Sequence, residues 1–171
     1  MDLVHIHLLL NHIPVFGLLI GFLILSWGTL RDYGEVKNTG LVVLFVTSLV
    51  AIPVYLTGEP AEEVVEKLPE VSEQIIGLHE DAAIYSLVLC IGTGIVAFLA
   101  LIARRFLSET IARFGIFFVL LVALIAGASI AYTSNLGGQV RHSEIRQAQS
   151  GTNGAETPAA EKKKEKDDDD D

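Results

Sequence analysis

Cysteine occurs once, at Cys90, so no disulfide framework can form within the chain. That residue lies between Leu89 and Ile91 in an apolar run and reads as a small packing residue rather than a reactive thiol. No lysine or arginine precedes the first apolar run, where Asp2 stands alone. The basic n-region of a cleaved signal peptide is missing and the run is too long for an h-region, so it is expected to remain as a span. No internal repeat is visible, and no two matching halves with broken helices mark a transporter. With a net charge of −9, no nucleic-acid partner is expected.

What the sequence does contain is apolar length. Hydrophobic residues make up 51% of the chain and concentrate in four runs, which place it in the membrane class. The first run, Val4 to Leu30, exceeds the ~20 residues needed to cross hydrocarbon. Gly17 and Gly21 on it form a close-packing motif, and Trp27 suits an interfacial anchor. The second run, Leu41 to Thr57, is short and carries Pro53; the third runs from about Ala82 to Ala103, and the fourth from about Ile111 to Tyr132. Between the second and third lies an acidic segment, Gly58 to Gly77, expected as one or two short amphipathic helices at the membrane surface. It reads as a solvated helix face or as a docking surface for a basic partner such as a soluble cytochrome.

The expected architecture is an all-α, four-helix transmembrane bundle, up-down-up-down, over residues 1–146. Residues 147–171 turn polar and then charged, and are expected as a disordered tail. The loops after the first and third runs hold Arg31, Lys37, Arg104, Arg105 and Arg113. The loop between the second and third is acidic, so the basic side is expected in the cytoplasm and both termini outside.

Against this background the opening stretch is anomalous. His5, His7, Asn11, His12 and Pro14 stand where a plain anchor would place leucine and valine. Titratable groups at membrane depth are expensive and need a partner, a cavity or a ligand. With His79 before the third run and His142 after the fourth, all five histidines fall at the outer end of an alternating bundle. On an ideal helix His5 and His12 share a face and His7 points nearly opposite, although a kink at Pro14 could bring His7 and His12 together.

Three readings fit these residues. Haem takes two axial imidazoles from different helices; His12 with His79 is the preferred pair, and His7 and His142 are the alternatives. Gly92, Gly94 and Gly127 are candidate close-approach points for the macrocycle, and Arg141 could pair with a propionate. A non-haem ion, Fe, Cu or Zn, would draw three or four ligands from His7, His12, Glu59, His79, Glu80 and His142. In the third reading the histidines are interfacial, hydrogen-bonded to backbone, Glu80 or Glu144. Ser134 and Asn135 are expected to end the last helix, and the Gly137-Gly138 pair to make a turn that could fold Arg141 and His142 back over the bundle mouth.

The combination of His7-x-x-x-x-His12-x-Pro14, Thr57-Gly58-Glu59-Pro60, His79-Glu80 and Leu136-Gly-Gly-Gln-Val-Arg-His142-x-Glu144-Ile145 resembles a family of small, uncharacterised bacterial integral membrane proteins with four spans. The match covers about residues 5 to 146, and His5 lies outside the pattern. The family is similar in layout to small b-type membrane cytochromes. That resemblance implies haem ligation; with the histidine cluster and the loop charges, the expectation is an inner-membrane haem b protein working in electron transfer on the periplasmic side, exchanging electrons with quinone or a soluble redox protein. The competing expectations are a metal-binding membrane protein or enzyme and a cofactor-free subunit of a respiratory assembly. No catalytic residue is assigned.

Overall fold

In a computed structural model, residues 3–69 and 71–142 are described, except for the Arg141 side chain; the tail expected from residue 147 lies outside them. Among the described residues there are six helices: α1 Leu3–Leu10, α2 His12–Leu30, α3 Gly34–Leu56, α4 Gly58–Val65, α5 Glu73–Phe106 and α6 Glu109–Arg141. They amount to four segments long and apolar enough to cross a membrane, because α1 runs into α2 and α3 into α4 with one residue between. Among the described residues there is no strand. Helix α2 packs on α3 and α6, α3 on α5, and α5 on α6, so α2 and α5 face each other across the diagonal.

The helix ends follow local chemistry. At the end of α2, the Tyr33 N–H bonds the Gly28 carbonyl at 2.9 Å and the Asp32 N–H bonds the Thr29 carbonyl at 3.4 Å. This is a Schellman closure, with Asp32 at φ 56° in the left-handed position that Asp tolerates better than most residues. The Ser72 hydroxyl accepts from the Ile75 N–H and opens α5, which has Glu73 in its first turn and Arg104 and Arg105 in its last. Ser108 and Glu109 open α6 in the same way. Acid at the start and base at the end both complement the helix dipole.

Packing is that of a protein dissolved in lipid. The interior is built from small residues around a few leucines: Leu25, Leu41, Leu44, Ala97, Val119 and Ala126 are fully buried. Phe114, Phe117, Phe118, Leu121 and Leu124 on α6 are exposed. In water such a face would drive aggregation, whereas in a bilayer it costs nothing. Cys90 is buried, as its neighbours predicted. The Gly17–Gly21 motif serves helix packing: α3 lies so close that a Cβ at Gly21 would meet Leu44 at 2.8 Å, and Gly17 faces Thr47. Gly94 faces Ser48 in the same manner.

Several expectations are corrected. The helices overrun the apolar runs; α5 has 34 residues, ~51 Å at ~1.5 Å per residue, against a hydrocarbon core of ~30 Å. The last helix does not end at Ser134–Asn135, nor does the chain turn at Gly137–Gly138; α6 continues to Arg141. Within it the Gln139 amide donates to Asn135 Oδ1 at 2.6 Å, one turn apart, so Asn135 supports the helix instead of capping it. The acidic segment supplies one short helix as expected, α4, which packs against α1 before a turn that reaches Pro69, and its last residues, from Glu73, already belong to α5. Gly92 and Gly127, unlike Gly94, have no neighbouring protein atom within 4 Å of an added Cβ.

Candidate functional site

One face of the first segment is set by a spacing of seven. His7, Pro14, Gly21 and Gly28 fall on it, with Asn11, Leu18 and Leu25 interleaved. Pro14, Leu18, Gly21, Leu25 and Gly28 are all buried, so the stripe faces the bundle and carries His7 inward with it. The segment breaks at Asn11, where Pro14 removes the N–H that would have bonded Leu10, yet Asn11 keeps helical angles. His7 and His12 therefore do not converge. His12 is exposed, and its Nδ1 lies 3.3 Å from the Leu8 carbonyl of its own segment. His5 is exposed as well.

His7 reaches the end of α3. Its Nδ1 stands 3.0 Å from the Val54 carbonyl and 3.2 Å from Thr57 Oγ1. A carbonyl only accepts, so the proton of the ring sits on Nδ1 and the neutral imidazole keeps its lone pair on Nε2. His79, near the start of α5, repeats the arrangement against α6: its Nδ1 is 2.9 Å from the Thr133 carbonyl. His7 and His79 are both half-buried.

The two receiving helices share a further feature. Four residues beyond each accepting carbonyl stands a glycine, Gly58 after Val54 and Gly137 after Thr133. Each lies beside its imidazole. A Cβ at Gly137 would come within 3.1 Å of His79 Cε1, and one at Gly58 within 3.7 Å of His7 Cε1. Lacking a side chain, Gly137 lets the ring lie on the helix and reach main chain one turn back. This explains a glycine inside a helix that a turn does not.

Beneath His79 a hydroxyl cluster ties α5 to α6. Ser86 Oγ lies 2.7 Å from Ser129 Oγ and 2.8 Å from Thr133 Oγ1, and Ser86 and Thr133 are buried. Thr133 also donates to the Ser129 carbonyl at 3.1 Å. The residue whose carbonyl orients His79 is thus itself fixed. Asn11, one turn from His7, has a buried Oδ1 without a hydrogen-bond partner among the described residues.

His142 follows α6 and is exposed, with its amide donating to the Gly138 carbonyl at 3.1 Å. Glu59 and Glu80 are exposed, and the Arg141 side chain and Glu144 lie outside the described residues. Among the described residues no group of three or more His, Cys, Asp or Glu could hold a metal ion. The Fe, Cu or Zn site expected from His7, His12, Glu59, His79, Glu80 and His142 is not assembled, because His12 turns outward and both carboxylates are exposed. The orienting groups at Val54, Thr133, Gly137 and Ser86 were not picked out from sequence, and the sevenfold spacing of His7 with Gly21 and Gly28 was the available signal. Comparison with protein-family models, curated proteins and solved structures gives no match.

Proposed function

We propose that the protein is a membrane-integral electron-transfer protein that holds haem b between His7 and His79. The observation that carries this reading is the matched pair of imidazoles, each giving its Nδ1 proton to a main-chain carbonyl of a neighbouring helix. Such a bond is the usual support of a metal-ligating histidine: it fixes tautomer and ring plane and makes the other nitrogen more basic. Two imidazoles from different segments are the donor set that b-type haem iron takes. Bound there, the haem would supply one-electron chemistry. The chain's own residues orient the rings, which are half-buried in the bundle.

His7 replaces His12 in the preferred pair, since His12 faces away from the bundle. The basic residues gather at the opposite end, and the positive-inside rule supports a histidine end outside the cytoplasm. Glu59, Glu62 and Glu66 stand on or just after α4, and Glu80 near the start of α5, at that end. They would attract a basic redox partner at low salt; membrane quinone is the other electron donor or acceptor within reach.

The test is a reduced-minus-oxidised absorption spectrum, with haem content, on protein purified from haem-replete cells. A sharp reducible band with stoichiometric haem supports the reading. Protein that folds, carries no haem and does not take it up on titration overturns it and leaves a cofactor-free structural subunit.

A further inference from the structure

The end of the bundle opposite the histidines is hollow. Between the Arg31–Tyr33 turn and the start of α6 lies a cavity of about 530 Å³. Its rim is charged, with Lys37, Arg104 and Arg113 against Asp32 and Glu109. Its floor is apolar and descends α6 through Ala112, Ile116 and Phe117. A second hollow of about 400 Å³ carries the groove over Arg113 and Phe114. Phe114 and Phe117 are both exposed on the face of α6 that meets lipid.

The cations differ in how they are held. Arg104 Nε donates to Asn38 Oδ1 at 2.8 Å and its Nη2 to the Gly34 carbonyl at 3.1 Å. Two of its five N–H donors are so engaged, which fixes the fork and leaves the others for a ligand. Arg113 is largely exposed and reaches Glu109 at 3.5 Å, a contact of little energy. Lys37 pairs with Asp32. The hydrogen bond and charge of Lys37, followed by the charges of Arg113 and Arg104, hold the Asp32 carboxyl below its usual range. Three cations thus act together at one spot on the rim, where negative charge is favoured.

We propose that this cavity binds the phosphate of an acidic phospholipid, with Arg104 as the fixed donor, Arg113 turning from Glu109 to meet it, and an acyl chain lying along Phe117 and Phe114. A charged rim over an apolar floor suits an amphiphile. Basic pockets between membrane helices on the cytoplasmic side take anionic headgroups in this way. The phosphate chemistry alone would also admit free phosphate; the apolar floor favours the lipid.

Thermal unfolding of the full chain in detergent separates these sources, with added phosphatidylglycerol, phosphatidylcholine or sodium phosphate at matched ionic strength. Phosphatidylglycerol should raise the midpoint saturably, and the other two should not. Arg113→Gln should weaken the apparent affinity about fivefold, the effect of one basic residue near an anionic surface. Arg105→Gln removes the same charge from a residue that lies over Phe106 outside the cavity, and should leave the affinity unchanged. Equal shifts with both lipids, or equal losses in the two variants, would overturn the site. A shift with sodium phosphate as large as that with phosphatidylglycerol would overturn the lipid assignment.

Discussion

The two ends of the bundle handle polar groups in opposite ways. At the histidine end most polar groups on the bundle's inner face are tied to the backbone: imidazole to carbonyl, with hydroxyls fixing the helix that supplies one of those carbonyls. At the basic end the groups are ionic, pair with one another across short gaps and border an open hollow. Neutral hydrogen bonds to main chain survive in a low-dielectric interior, whereas unpaired charges there would not. The first arrangement orients two imidazole rings. The second meets headgroups and solvent.

If the histidine end is tuned by backbone access, bulk at its glycine should do the greatest harm. Gly137→Leu, whose added atoms would drive into the His79 ring, should cost ~1–3 kcal/mol of stability as overpacking does and remove most bound haem. Gly58→Ala should be near wild type, since its Cβ would meet His7 at an ordinary 3.7 Å. Haem content and thermal midpoint of the two variants decide this. A comparable but purely structural loss is expected at Gly21→Leu, which pushes α3 away while leaving both imidazoles their partners.

Ser86→Ala should have a smaller effect, ~1 kcal/mol, because Thr133 keeps its bond to the Ser129 carbonyl. Its readout is a modest fall in midpoint, together with a shift in redox potential if Thr133 moves under His79. The smallest effect belongs to the basic end. Asp32 has its folded-state pKa lowered by Lys37, so its contribution to stability is present above the unfolded value of about 3.9 and is lost as pH falls through the depressed folded value. The difference in midpoint between wild type and Asp32→Asn should stay constant down to about pH 4 and shrink below it, and high salt should reduce it at every pH.

The four-span bundle was legible because apolar length leaves few alternatives. Helix ends were less so, since a helix held by its neighbours continues into polar sequence. Asn135 and Gly137 look like a stop until Gln139 and the His79 ring supply their reasons for being helical. Reading the histidines by depth favoured His12; reading them by face favours His7, in step with Pro14, Gly21 and Gly28. His79 shares such a stripe with Ser86, Thr93 and Ala100, all buried. The accepting carbonyls of Val54 and Thr133 left no trace of their own, because every residue has one. Their trace is the glycine four positions later.

The most direct test compares three single substitutions in one spectrum. His7→Ala and His79→Ala should each abolish the reducible haem band while His12→Ala retains it with unchanged amplitude. A band lost in His12→Ala and kept in His7→Ala would contradict the inward pairing of His7 and His79.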